Sequence, residues 1–250
     1  MSDILTERSE NILSIQLNRP AKKNAMTSSM YITMAGLLNG AAKDDQIHVV
    51  LWHAAGNSFS AGNDIEDFMK NPPGQGESPQ AQLIHALINF EKPLVAAVQG
   101  AAIGGGTTML AHCDFVYAGE SAKFQLPFVN LGLVPEFGSS YLLPLRFGYA
   151  RAAELILLGV PFDASRAAEL GLVTQVVPDQ SLLATATETA RILAAKPAAA
   201  VQASKRLMKR ASREQLEQAV KLENEVFAER VRSDEANQAF AAFFAKRQPV

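Results

Sequence analysis
Two glycine-rich loops hold the residues best placed to do chemistry in this chain. The first is Gly56-Asn57-Ser58-Phe59-Ser60-Ala61-Gly62-Asn63-Asp64, directly after the apolar run Ile47–Trp52. The second is Gly100-Ala101-Ala102-Ile103-Gly104-Gly105-Gly106, directly after Leu94–Val98. Small residues let a ligand approach the backbone closely, and a helix N-terminus offers unpaired N–H groups to an anion. Two such loops on neighbouring strands can aim two N–H donors at one oxygen; read by spacing alone, they are equally well simple turns. Other chemistry lacks its residues. His48, His53, His85 and His112 show no close pairing and no His-Glu-x-x-His, so no metal site is expected. Cys113 follows an apolar segment and reads as a packing residue. Ser139 and Ser140 stand outside any Gly-x-Ser-x-Gly elbow. The triple glycine has neither the spacing of a dinucleotide loop nor the Gly-Lys-Ser/Thr of a P-loop.

The elements that must carry these loops follow from periodicity. Ile12–Leu17 reads as a strand after a turn at residues 9–11, and Asn18-Arg19-Pro20 ends it. Thr27 caps a helix expected to run to about Ala42, with Met30, Met34, Leu37 and Leu38 on one stripe. Ile47–Trp52, Leu94–Val98 and Asp114–Ala118 read as strands, with helices expected over about 80–90 and 105–111. Residues 55–63 and 71–79 read as loops. Strands alternating with helices predict an α/β fold with helices covering a parallel sheet. From about Leu182 the pattern is helical only. Leu216, Val220, Phe227 and Val231 share a stripe there, and Phe240, Phe243 and Phe244 form another that needs a partner surface, either the parent domain or another subunit. The composition agrees with a globular protein that has a core: 250 residues, 48% hydrophobic, 19% charged, net charge -2. No basic surplus points to nucleic acid. No apolar run reaches the roughly 18 residues of a membrane span. The single cysteine, and an N-terminus without an apolar signal core or an Arg-rich transit pattern, lead to a cytoplasmic expectation.

The order Phe59-Ser60-Ala61-Gly62-Asn63-Asp64, then Gly100 to Gly106, Ala111-His112-Cys113-Asp114, Leu131-Gly132-Leu133-Val134-Pro135 and the segment from Arg151 to Gly171 resembles the crotonase (enoyl-CoA hydratase/isomerase) superfamily over nearly the whole chain. The resemblance implies a crotonase-like (ClpP/crotonase) spiral of β-β-α units over residues 1–195. A C-terminal helical region, 196–250, would mediate assembly into a homotrimer or a dimer of trimers. It implies an acyl-CoA thioester substrate, with CoA as part of the substrate and no separate cofactor. Two backbone N–H groups, from Asn63 and Gly105, would hold the thioester oxygen, a role in which the side chain at Asn63 matters little. One such preorganised donor is worth roughly 3–4 kcal/mol of barrier.

Hydratases of this family use two glutamates, and here the matching positions are Thr108 and Phe128. Water addition needs groups to activate water and deliver its proton, and these two residues replace neither. The acid left in the region is Glu136, in Gly132-Leu133-Val134-Pro135-Glu136-Phe137-Gly138-Ser139-Ser140. This resembles the Δ3,Δ2-enoyl-CoA isomerases of the peroxisomal and fungal type, in which a single glutamate is the base; a branch acting on ring-containing enoyl-CoAs has aspartate there. Apolar walls such as Phe128 and Phe137 would raise its pKa. The competing reading of Glu136 is a helix-start carboxylate set against the dipole near Ser139. The competing activities are an enoyl-CoA hydratase (a lyase), a CoA-thioester hydrolase and a non-catalytic acyl-CoA binder. Substrate contacts implied by the resemblance are Ala25, Ala61, Asp64, Ile65 and Gly104. Lys22 and Lys23 stand as either phosphate partners or solvated loop lysines. Lys246 is placed to reach a neighbour's CoA phosphate, and the stretch 68–82 to shape the acyl pocket.

Overall fold
The computed structural model describes residues 2–70 and 78–245. Ten strands occur among them: β1 (Ile4–Ser9), β2 (Ile12–Leu17), β3 (Val49–Ala54), β4 (Ser58–Ser60), β5 (Leu94–Val98), β6 (Ala101–Ile103), β7 (Phe115–Gly119), β8 (Lys123–Gln125), β9 (Phe162–Asp163) and β10 (Gln175–Val177). They form two sheets, one in the order β1-β2-β3-β5-β7-β10 and one in the order β4-β6-β8-β9. The chain climbs by one repeated step. A long strand of the first sheet bends within two or three residues into a short strand of the second, and a helix follows. β3 and β4 feed α1's successor α2 (Ile65–Lys70), α1 itself being Ser28–Lys43. After α3 (Pro79–Asn89), β5 and β6 feed α4 (Gly105–Thr108). β7 and β8 lead toward α5 (Ser139–Phe147), followed by α6 (Tyr149–Leu158) and α7 (Ala164–Glu169). Because β2, β3, β5 and β7 pair in parallel and so do β4, β6 and β8, the two glycine loops leave neighbouring strands side by side.

Local chemistry explains most boundaries. Glu10 and Asn11, both at positive φ, make the two-residue turn of the β1–β2 hairpin. The Thr27 side chain accepts from Met30 N and caps α1, whose buried face holds Met30, Tyr31, Met34 and Leu38. The run Leu94–Val98 is buried along its whole length, as expected of a central parallel strand. The third strand starts two residues later than its apolar run predicted. β4 and β6 lie inside segments read as loops, since three residues offer no period to detect. The helix expected over 105–111 is four α-helical residues continued by a 3-10 turn at Met109–His112. Of the loop expected over 71–79, residues 71–77 lie outside the described residues, and Ser78 caps α3.

After β10 every element is helical: α8 (Leu182–Ala194), α9 (Ala198–Lys209), α10 (Arg213–Arg230) and α11 (Asp234–Ala245). These helices fold back on the sheets. Lys205 of α9 reaches Asp114 at 2.6 Å and the Lys92 carbonyl at 2.7 Å. Phe240 of α11 and Phe227 of α10 both lie against Phe68, with ring centroids 6.4 and 5.9 Å away. Phe240 of the terminal phenylalanine stripe is thus buried on its own chain. No described helix is long and apolar enough to cross a membrane.

Candidate active site
The two loops meet at Gly62 and Gly105. Met26 N donates to Gly62 O and Asp64 N donates to Met26 O, the bonds of a parallel bridge between Met26 and Asn63. That geometry turns the Asn63 N–H away from Met26. Gly62 is at φ 84°, and a Cβ there would come within 2.7 Å of the Ile103 carbonyl and 3.9 Å of Gly105 N. Gly105 is the first residue of α4, where N–H groups have no intrahelical acceptor. The sequence therefore brings two backbone donors to one place by allowing the loops to touch, which a side chain at residue 62 would prevent.

Glu136 closes this place from the side. A Cβ on Gly105 would lie 2.8 Å from Glu136 Oε1, so the glycine also makes room for the carboxyl. Glu136 is 7% exposed, and its Oε1 is buried with no hydrogen-bond partner among the described residues. Burial first, and the nearby Glu223 carboxylate second, push its pKa up to about 7, while the Asn63 amide pulls it back. That amide is oriented by Tyr31, whose hydroxyl donates to Asn63 Oδ1 at 2.6 Å. The side chain of Asn63 thus has a part beyond its backbone donor.

The loop carrying Glu136 is held from three directions. Phe137 sits at φ 63°, an uncommon conformation for a bulky residue, and its ring is fully buried near Tyr31 and His112. His112 donates from Nε2 to the Phe137 carbonyl at 2.7 Å. Burial and the Lys209 charge hold the His112 pKa down at about 3, so the ring stays neutral. From α10, Glu223 accepts from Gly138 N at 2.6 Å and from Ser140 N at 2.7 Å, capping the first turn of α5. The helix-start role is filled by Glu223, not by Glu136.

Two cavities share Glu136, Phe68 and Phe227 as wall. One, of about 550 Å3, is lined by Lys22, Lys23, Ala25, Ala61, Asn63, Asp64, Ile65, Gly104, Gly105 and Phe128 among others. The other, of about 560 Å3, lies between α3 and α10 and is bounded by Ala81, Ile84 and Val220. Phe137 lines neither; it packs behind the loop. The Lys22–Lys23 turn is fixed at the mouth of the first cavity by the buried Asn24, which donates to the Ala55 and Ser58 carbonyls at 2.8 Å each. Asp64 is engaged by Arg19 at 2.7 Å and caps α2 through Glu66 N and Asp67 N. Thr108 is fully buried with its hydroxyl on the Gly104 carbonyl. Lys246 lies outside the described residues. No group of three or more metal-ligating side chains occurs among the described residues. Tyr31, His112 and Glu223 take part in the site without having been singled out for it: Tyr31 follows Met30 on an apolar helix, and Glu223 sits in a helix rich in charges.

The profile of the family described as Enoyl-CoA hydratase/isomerase matches residues 7–250. The chain is similar to 1,2-epoxyphenylacetyl-CoA isomerase of Escherichia coli K12, 35% identical over 100% of this chain and 98% of that one. It is similar to enoyl-CoA delta isomerase 2 of Homo sapiens, 35% identical over 96% of this chain but 63% of the longer human protein. A crystal structure of an enoyl-CoA hydratase/isomerase from Pseudoalteromonas atlantica T6c superposes with a TM-score of 0.95 at 41% identity, covering 100% of this chain and 99% of that one. The paired loops, the crotonase fold that carries them and these likenesses agree: the chain is an acyl-CoA enzyme belonging to the enoyl-CoA hydratase/isomerase family.

Proposed function
We propose that this enzyme is a Δ3,Δ2-enoyl-CoA isomerase with Glu136 as its single base. The observation that carries the reading is the Glu136 carboxyl: buried, with a free oxygen, beside Gly105. The thioester carbonyl accepts from the N–H groups of Asn63 and Gly105, which stabilises negative charge on its oxygen and acidifies C2. Glu136 takes the C2 proton, a dienolate forms, and the same carboxyl returns the proton at C4. One base on one face suffices for this 1,3-shift, and a pKa of about 7 suits both halves of it. Thr108 and Phe128, where hydratases of the family place glutamates, support isomerisation over water addition. No cofactor enters this scheme.

The first cavity would take the CoA arm, with Lys22 and Lys23 toward its phosphates, and the cavity between α3 and α10 would take the acyl chain. We read residues 196–250 as the region through which three chains, or a dimer of trimers, assemble in the cytoplasm. The exposed Leu207, Met208 and Leu222 support an assembly face there. The test is incubation of the purified protein with a 3-enoyl-CoA and, separately, a 2-enoyl-CoA. Double-bond migration at unchanged mass is the expected result, and gain of one water would overturn the reading.

A further inference from the structure
A third cavity, of about 580 Å3, lies behind the loop that carries Glu136; Glu136 does not line it, and it shares Ile88 with the cavity between α3 and α10. Its lining holds six cations, Arg146, Lys205, Arg206, Lys209, Arg210 and Arg213, against two acids, Glu91 and Asp114. Both acids are already engaged: Asp114 with Lys205 at 2.6 Å, and Glu91 with Arg206 at 3.0 Å. Arg146 donates to the Ala111 carbonyl and Arg213 faces Glu217. Arg210 is exposed, whereas Lys209 is turned inward. Its Nζ is buried and has no hydrogen-bond partner among the described residues. Burial, then Lys205, lower its pKa to about 8, so at neutral pH it remains mainly charged. A buried ammonium without a partner is costly to keep, and native structures supply such groups with an acceptor. The walls beside it are apolar, with Phe90, Leu142, Leu145 and Met208. That combination suits an anion with an apolar body better than a strongly hydrated phosphate.

We propose that this cavity is a carboxylate-binding site, in which a carboxylate group seats on Lys209 beside Arg146 with its apolar stem along Leu142 and Met208. The carboxylate is that of a free small organic acid or of an acidic side chain from a second copy of this chain. The cavity also touches His112, whose Nε2 holds the Phe137 carbonyl, so the site backs directly onto the loop that carries Glu136.

Thermal unfolding with hexanoate, hexanol or chloride at matched ionic strength tests this on the wild type and Lys209→Met, with light scattering for assembly size. A free acid as occupant is expected to raise the wild-type Tm by roughly 3 °C or more at tenfold excess over its Kd, with hexanol inert and Lys209→Met unresponsive. A carboxylate from a second copy is expected to leave hexanoate without effect and to give Lys209→Met a lower assembly mass than the wild type. Equal response to hexanol and hexanoate, or a Lys209→Met protein that matches the wild type in both ligand response and assembly mass, overturns the proposal. Lys209→Gln serves as the second variant if methionine there does not fold.

Discussion

Glu136 and Glu223 are both 7% exposed, and the Glu223 charge acts on Glu136, yet they are built for opposite purposes. Glu223 has an N–H donor on each oxygen, Gly138 N and Ser140 N, and so is spent on holding the start of α5. Glu136 keeps Oε1 without a donor, turned to the place where Gly105 has no side chain. A satisfied buried carboxylate is structural, whereas an unsatisfied one beside backbone donors is available to a proton. The difference also shows that the loop is organised from outside itself. The helix dipole at α5 is matched by a residue from α10, which frees the glutamate at the loop to face the cavity.

The comparison is broken most severely through turnover. Glu136→Gln is expected to lower kcat on a 3-enoyl-CoA by about 10²–10⁴-fold while leaving CoA binding in place. A steady-state assay paired with calorimetric binding of the CoA ester reads both. Glu223→Ala should do the reverse. It leaves the buried Gly138 N–H without an acceptor, at about 1–3 kcal/mol, and the N–H of the exposed Ser140 to water, so chemical denaturation should show a loss of stability. Glu223→Gln, which keeps an acceptor but removes the charge, should move the kinetic pKa of Glu136 below its present value.

Stability against pH separates the two residues again. Glu136 has a folded pKa of about 7 against an ordinary 4.5, so the folded state binds the extra proton between those values. Stability contributed by that proton is present at low pH and is lost as pH rises through 7. Glu136→Gln should therefore be more stable than the wild type at about pH 8 by roughly 3 kcal/mol, with the gap closing toward about pH 5. Urea titrations at the two pH values check it. The smallest effect belongs to Tyr31→Phe. Without the hydroxyl that orients Asn63, the amide is free to turn, and kcat should fall by roughly 5-fold with an upward shift in the kinetic pKa.

Much of this arrangement was legible in the residues. β2 and β5 match their apolar runs: β5 is buried at every position, as a central parallel strand is, and β2 buries Ile12, Leu13, Ile15 and Leu17. Thr27 is the cap of α1, as read from its type and place. Both glycine loops were legible as a possible pair of donors, though only their likeness to a family tied them to a thioester. What stayed hidden is also physical. β1 buries one residue, Ile4, and presents Leu5, Thr6, Glu7 and Arg8 to solvent, so its alternation carries no apolar face. β4 and β6 are three residues each. Glu223 lies among the charges of α10, where a glutamate reads as a solvated face unless one knows that α5 starts against it. Tyr31 reads as core, and its hydroxyl matters because Asn63 arrives from a loop 32 positions away.

The measurement that bears most directly on Glu136 is kcat/KM for a 3-enoyl-CoA across about pH 5 to 9. A buried single base whose pKa stands at about 7 should give a rate that climbs through that value and then levels off. A flat profile, or one inflection near the ordinary glutamate value of 4.5, would contradict the account.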